Sequence, residues 1–223
     1  MKNKQSGFTL IEIAIVLVII GLLLGGVMKG QELINSAKVK NFATDFRNTP
    51  VLIYGYQDKF KALPGDDAGV VAHVAGSLAT TPATKIGNGT VDGLWDSFTT
   101  TDESFLFWQH VRLAGLAAGP TAVADPTYLP TNAAGGTIGI QSNNGTFVTI
   151  VQNAAGAASL MTGTYIICSK GILGKYVKQL DTTMDDGNTD TGSMRVNDST
   201  VASKSVATTA IVDGTSYTVC MGI

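Results

Sequence analysis

The chain opens with a short polar segment, Met1–Gly7, that carries Lys2 and Lys4, and then turns apolar. From Phe8 to Met28 nearly every position is hydrophobic, and Glu12 is the only charged residue. As a helix these 21 residues reach about 30 Å, the thickness of a hydrocarbon core. The pattern predicts a membrane-spanning helix whose positive leader stays in the cytoplasm. Gly21, Gly25, Gly26 and Gly30 interrupt the apolar face. Each weakens a helix by about 1 kcal/mol relative to Ala, so the stretch suits either close helix packing or local melting. After Met28 the hydrophobic positions thin to a stripe: Phe42, Phe46, Ile53 and Phe60. Spacings of four and seven place them on one helix face. Lys38, Lys40, Arg47, Lys59 and Lys61 fall mostly elsewhere. This predicts an amphipathic stem that ends at Leu63, before Pro64-Gly65. One half packs on a head and the N-terminal half projects. Pro50 is expected to kink or split it, because proline removes an amide donor and clashes with the preceding turn.

The pattern changes again in the head. Residues 64–135 are rich in turn signals, with Pro64-Gly65-Asp66-Asp67, Gly87-Asn88-Gly89 and Asp92-Gly93. Thr100-Thr101-Asp102-Glu103 reads as a capping box for a helix over Ser104–Ala114, stopped by Gly115 or Gly119-Pro120. Phe105, Trp108 and Leu113 are its expected core residues. Beyond Gly136 the period shortens to that of strands. Thr137–Gln141 and Thr146–Val151 flank Ser142–Gly145 as a hairpin, and Met161–Cys168 is a third strand. Ile172–Leu180 is a short helix with Leu173, Tyr176, Val177 and Leu180 on one face. A polar loop follows, and Ser216–Cys220 is the last strand. The expected fold class is α+β, a long N-terminal helix packed on a small antiparallel sheet. The expected organisation is a leader (1–7), a membrane helix (8–30), an amphipathic stem (31–63) and a head outside the cytoplasm (64–223).

Composition sharpens this. The 223 residues are 44% hydrophobic and only 14% charged, which excludes a disordered chain. The formal charge of −2 conceals an asymmetry. Residues 29–63 hold six Lys/Arg against three Asp/Glu, while residues 64–223 hold seven against thirteen. The stem is basic and the head acidic. An acidic head does not suit phosphate contacts, so no nucleic-acid partner is expected.

Two features of the N-terminus narrow the function. No small-residue cleavage site follows Met28, so an ordinary signal peptide does not fit. Glu12 lies inside the apolar span, where a carboxylate costs roughly 2.5–3.5 kcal/mol on insertion scales. It needs a partner at that depth.

Gly7-Phe8-Thr9-Leu10-Ile11-Glu12, behind a basic leader and before an apolar run, resembles the processing site of type IV prepilins and type II secretion pseudopilins. The resemblance implies that a prepilin peptidase/methyltransferase cuts after Gly7 and methylates the Phe8 amine. It implies assembly through the N-terminal helix with identical or related pilin subunits, Glu12 neutralising a neighbour's amine. It also implies an inner-membrane assembly platform, lipid around the helix before assembly, and a periplasmic or surface filament afterwards. Structural filament subunit, secretion pseudopilin and pilin-like adhesin all stay open. The pilin fold agrees with the α+β reading.

Cys168 and Cys220 are the only cysteines. In a head outside the cytoplasm they are expected to form a disulfide, with two buried thiols as the alternative. A C-terminal segment bounded by a disulfide is also a feature of many type IV pilins. Asp66 and Asp67, and Asp181, Asp185, Asp186, Asn188 and Asp190 around Gly187, offer hard oxygen ligands on flexible loops. Neither loop has the EF-hand register. Major pseudopilins carry calcium in the C-terminal loop, so the Asp181–Asp190 loop is the first choice for calcium; no other cofactor is expected. Only two histidines, His73 and His110, are present, and no nucleophile elbow, phosphate loop or metal spacing accompanies them. The chain does not read as an enzyme.

Overall fold

One helix, α1, runs from Leu10 to Phe60. It is seen in a computed structural model that describes residues 9–74, 79–82, 85–144, 150–198 and 203–223. Packing divides the chain into two units, Met1–Lys38 and Val39–Ile223.

In the first unit α1 is exposed all round. Its large apolar side chains from Leu10 to Ile34 lie in contact with solvent, and the helix is long and apolar enough to cross a membrane. Gly21, Gly25 and Gly26 do not break it, and open space lies beyond each of them.

In the second unit the remaining turns of α1 enter a core. Val39, Phe42, Ala43, Phe46, Ile53 and Tyr56 are buried, and Phe60 is half-buried. Tyr56 extends the stripe of Phe42, Phe46 and Ile53. Pro50 does not split the helix as its chemistry led us to expect. A proline costs a helix interior about 3 kcal/mol. The buried Phe46 and Ile53 flank it, and each fully buried large apolar side chain contributes about 1.5–3 kcal/mol. Burial on both sides of Pro50 therefore outweighs the lost hydrogen bond. The helix stops at Phe60 rather than Leu63, because Lys61 takes a left-handed conformation, φ 55°.

A single turn, α2 (Val70–His73), follows, and then α3 (Glu103–Leu113). Phe105 and Trp108 of α3 are buried and Leu113 packs against the core from a half-buried position. The Thr100 capping box does not form. Asp102 occupies the cap position without a side-chain cap bond, and Glu103 is drawn inward to accept from the Asp92 amide at 2.7 Å.

The sheet is built from β1 (Ile138–Ser142), β3 (Tyr165–Leu173), β4 (Met194–Asn197) and β6 (Ser216–Gly222), with β2 (Ile150–Gln152) elsewhere. Its order is β1-β3-β6-β4, all antiparallel. α4 (Gly174–Met184) follows β3 directly and buries Tyr176, Val177 and Leu180. The fold class is α+β, with the last turns of α1 packed in the same core as this sheet.

Two strand expectations change. β1 pairs with β3, whereas β2 pairs in parallel with β5 (Ser203–Lys204), so Ile150–Gln152 is no hairpin partner of β1; residues 145–149 lie outside the described residues. β4 falls where a polar loop was expected. Chain also meets the two outer strands of this sheet: Ser142 N donates to Val91 O beside β1, and Val206 N donates to Val196 O beside β4.

Candidate functional site

Gly7 and Phe8 lie outside the described residues, so the geometry of the N-terminus begins at Thr9. There the Glu12 carboxylate accepts from the Thr9 amide at 2.8 Å and from the Thr9 hydroxyl at 2.7 Å. The Glu12 amide donates back to Thr9 Oγ1 at 3.3 Å. This is a reciprocal capping box: Thr9 is the cap, Leu10 the first helical residue and Glu12 the third. A negative side chain in the first turn also meets the positive end of the helix dipole. Glu12 therefore fastens the start of α1 as well as carrying charge. Thr9 was missed from the sequence, although a Thr followed three residues later by Glu is a cap signal.

In the head, three of the turn motifs come together. Asp66 accepts the backbone amides of Gly87, Asn88 (3.2 Å) and Gly89 (2.8 Å). Asp67 accepts from the Tyr56 hydroxyl at 2.6 Å, the His73 Nδ1 at 2.8 Å and the Gly69 amide at 2.8 Å. Burial would raise the Asp67 carboxyl, but these hydrogen bonds win and hold it below the ordinary carboxylate range. Burial and the same bond push the Tyr56 hydroxyl well above its usual value. Gly65 lies against the Glu103 carbonyl at φ 95°, a place with no room for a Cβ. His110 is fully buried: its Nδ1 accepts from the Gly65 amide at 3.0 Å and its Nε2 donates to Thr80 O at 2.9 Å. Burial lowers its pKa, so it is a neutral structural imidazole.

Glu103 is the unusual member. It is 2% exposed, its Oε2 takes the Asp92 amide and its Oε1 meets no donor. Burial, reinforced by Asp66 and Asp92 against the Asp92 amide bond, pushes its carboxyl up to about 8.

The acidic C-terminal loop is spread over several partners. Asp185 accepts from the Met194 amide at 2.8 Å. Asp186 accepts from the Asn188 amide and the Thr191 hydroxyl, both at 2.8 Å. Asn188 Oδ1 accepts from the Asp190 amide at 3.3 Å. Asp190 accepts from the Ala154 amide at 2.6 Å and from Ser205 Oγ. Asp181 is fully buried and neither carboxyl oxygen has a hydrogen-bond partner of good geometry. Burial and then the charges of Asp185 and Asp186 raise it to about 7, with the Gly187 amide a weak counterweight. Among the described residues no three His, Cys, Asp or Glu side chains converge on a point that would hold a metal ion. The carboxylates of Asp185, Asp186 and Asp190 are each taken up by separate donors, from Met194, from Asn188 and Thr191, and from Ala154 and Ser205.

Cys168 and Cys220 form a disulfide between the directly opposed positions of β3 and β6. It is fully buried, packed with Trp95, Met161 and Ile166.

Residues 2–28 match the family model of the prokaryotic N-terminal methylation motif, the signature of type IV pilins and pseudopilins. The matched segment contains Gly7, Phe8, Thr9 and Glu12, and the exposed apolar turns of α1 through Met28. The match supports a type IV pilin-like or pseudopilin precursor, a structural class of protein. It implies processing by a prepilin peptidase and assembly with other pilin subunits, and it agrees with membrane anchoring before assembly. No curated protein and no solved structure matches the chain.

Proposed function

We propose that the chain is a structural subunit of a type IV pilus or a related filament. A prepilin peptidase cuts after Gly7, the Phe8 amine is methylated, and the subunit enters a filament through α1. Glu12 then pairs with the N-terminal amine of a neighbouring subunit. The single observation that supports this most strongly is the overlap between the methylation motif and an apolar helix that the chain itself leaves uncovered from Leu10 to Ile34. Such a surface requires lipid, and then other helices, around it. Before assembly the helix crosses the inner membrane once with its leader in the cytoplasm. The assembly platform extracts it, and the head ends in the periplasm or at the cell surface. The same motif suits a secretion pseudopilin, and the two differ in where the filament stands.

The test is to shear surface filaments from cells that make the chain and to sequence their subunits by mass spectrometry. The expected result is a chain that begins at Phe8 with a methylated amine. A chain recovered only from the membrane, still carrying residues 1–7, overturns the proposal. A processed chain found in envelope filaments that do not reach the surface moves it to the pseudopilin class.

A further inference from the structure

Glu103, the first residue of α3, is 2% exposed, yet only one of its carboxyl oxygens has a partner. Oε2 accepts from the Asp92 amide at 2.7 Å, and Oε1 meets no donor. Asp66 and Asp92 act on the group as like charges. A buried carboxyl oxygen without a donor costs stability, and a bound ion is one of the few things that relieves it. Glu103 lines a hollow that it shares with Asp92, Asp96, Asp102 and Lys85. Lys85 Nζ stands 3.7 Å from Asp92 Oδ1, and its side chain is 58% exposed. Negative charge therefore dominates the hollow.

The segment that leads into it carries oxygen-bearing side chains on alternate residues, Asn88, Thr90 and Asp92, followed by Gly93. These side chains already meet. Asn88 Oδ1 accepts from the Thr90 hydroxyl at 2.6 Å, and Asn88 Nδ2 donates to Asp92 Oδ2 at 2.8 Å. Oxygen ligands at the first, third and fifth positions, with glycine at the sixth, form the opening half of a calcium loop. Gly93 has φ 103°, the left-handed turn that such a glycine supplies. The full loop closes with a glutamate at its twelfth position, which here is Thr99. Glu103 follows four residues later and is folded back onto the Asp92 amide.

We propose that Asn88, Thr90, Asp92 and Glu103 form a calcium site, with the cation on the unpartnered oxygen of Glu103. Two of the four side chains are neutral, so the site needs no convergence of three acidic groups. Calcium takes six to eight oxygens in flexible geometry, and main-chain carbonyls and water complete such a set. The cation displaces the exposed Lys85 from Asp92. The expected dissociation constant is about 10⁻⁴–10⁻³ M, the range of extracellular modules. Asp66 accepts the amides of Gly87, Asn88 and Gly89, so an ion here ties the start of α3 to the turn that follows α1. The proposal stands apart from the filament reading and does not depend on it.

The experiment follows the melting temperature of the detergent-solubilised full chain by differential scanning fluorimetry, in chelator and in roughly 10 mM CaCl₂ or MgCl₂, at or above ten times the expected dissociation constant. Calcium should raise the wild-type value by at least about 3 °C. Glu103→Gln and Asp92→Asn should each lose that rise, and Asp181→Asn, in the other acidic loop, should keep it. A cooperative melt of each variant in chelator shows that it is folded, so that a lost response is not a lost fold. MgCl₂ should give less than half the rise. A wild type indifferent to calcium overturns the proposal. So does a rise that survives Glu103→Gln, or one that Asp181→Asn alone removes. An equal rise with MgCl₂ overturns the assignment to calcium.

Discussion

Tyr56, on the last turns of α1, donates its hydroxyl hydrogen to Asp67 Oδ2 at 2.6 Å, and the same oxygen faces His73 Nδ1 at 2.8 Å. Both Tyr56 and Asp67 are essentially inaccessible to water. The Tyr56 ring packs on Phe60 at 4.7 Å and stacks with His110 at 6.3 Å. The end of the stem is thereby fastened to the Pro64–Asp67 turn by a hydrogen bond to a charged acceptor in a dry setting. Such bonds contribute about 1.5–3 kcal/mol, and their loss leaves a buried carboxylate short of a donor.

Tyr56→Phe should therefore lower the melting temperature by about 5 °C while keeping the fold, as followed by circular dichroism. The effect is pH-dependent with a definite sign. The Asp67 pKa is depressed in the folded state, so its contribution is present above the unfolded carboxylate pKa and is lost as pH falls through the folded value. The gap between wild type and Tyr56→Phe should close in acid. A gap that stays unchanged down to the pH at which the wild type itself unfolds in acid would show that the hydroxyl matters for packing alone.

Glu103 behaves in the opposite sense. Its carboxyl is raised to about 8 in the fold from an ordinary 4.5, so the folded chain binds more protons than the unfolded one between those values. Its contribution is full below about pH 4.5 and declines as pH rises towards 8, with a slope of at most about 1.4 kcal/mol per pH unit. Glu103→Gln keeps an acceptor for the Asp92 amide and removes the titrating proton. The variant should match wild type near pH 5 and melt several degrees higher at pH 8. Equal melting at both pH values would show that Glu103 takes up no proton on folding.

These contacts also mark the limits of what the chain reveals before it folds. The apolar run, the Phe42–Phe46–Ile53 stripe, α3, α4 and the strands β1, β3 and β6 are legible because each carries its own period. The disulfide partners were the only cysteines. What could not be read depends on chain segments far apart. Asp66 meets Gly87–Gly89, Asp67 meets Tyr56, and His110 meets Gly65 and Thr80 through tertiary packing. The Thr100 cap lost to the pull of the Asp92 amide on Glu103. β4 carries only Met194 and Val196 as apolar residues, too few to stand out from a polar loop, although both are buried. At the other end Thr9 was legible and was eclipsed by the charge on Glu12.

Asp181 offers a way to ask whether the C-terminal loop takes calcium. Its burial raises it to about 7, so it disfavours the folded state as pH climbs from about 4 towards 7. Asp181→Asn should leave stability near pH 4 unchanged and raise the melting temperature at pH 8. Should calcium occupy the loop, the order reverses in its presence: millimolar Ca²⁺ raises the wild-type melting temperature, a chelator reverses it, and Asp181→Asn abolishes the response. Differential scanning fluorimetry of both proteins with and without Ca²⁺ separates the cases.

The Cys168–Cys220 bridge joins strands that are already hydrogen-bonded neighbours, so the sheet does not need it for register. Its effect should lie in the unfolded chain, where it closes a loop between residues 52 positions apart. The chain-entropy estimate for that closure is roughly 4 kcal/mol. The bridge is inaccessible between Trp95 and Met161. Mild reductant should leave the folded protein oxidised, and reduction should become rapid only in denaturant. Cys168→Ser/Cys220→Ser should melt well below wild type, with the difference expressed mainly as slower refolding at equal denaturant, because the unbridged chain must close this loop itself. Rapid reduction of the native protein, read by alkylation and mass shift, would mean that β3 and β6 separate locally without global unfolding.

Thr9 and Glu12 make the most direct prediction about function. Each helps cap α1, and Glu12 alone has the charge to meet a neighbour's amine. The two roles separate by substitution. Thr9→Val removes the hydroxyl but keeps the carboxylate and should weaken the helix start by about 1 kcal/mol, the usual worth of an N-cap. Glu12→Gln keeps an acceptor for Thr9 and removes the charge. If pairing with the N-terminal amine drives assembly, Glu12→Gln should be processed normally yet be nearly absent from sheared filaments, while Thr9→Val should assemble at a moderately reduced level. If the cap is the main role, the order reverses: Glu12→Gln assembles and Thr9→Val fails. Quantifying both variants in membrane and filament fractions of the same cells decides between a charge that recruits and a charge that merely caps.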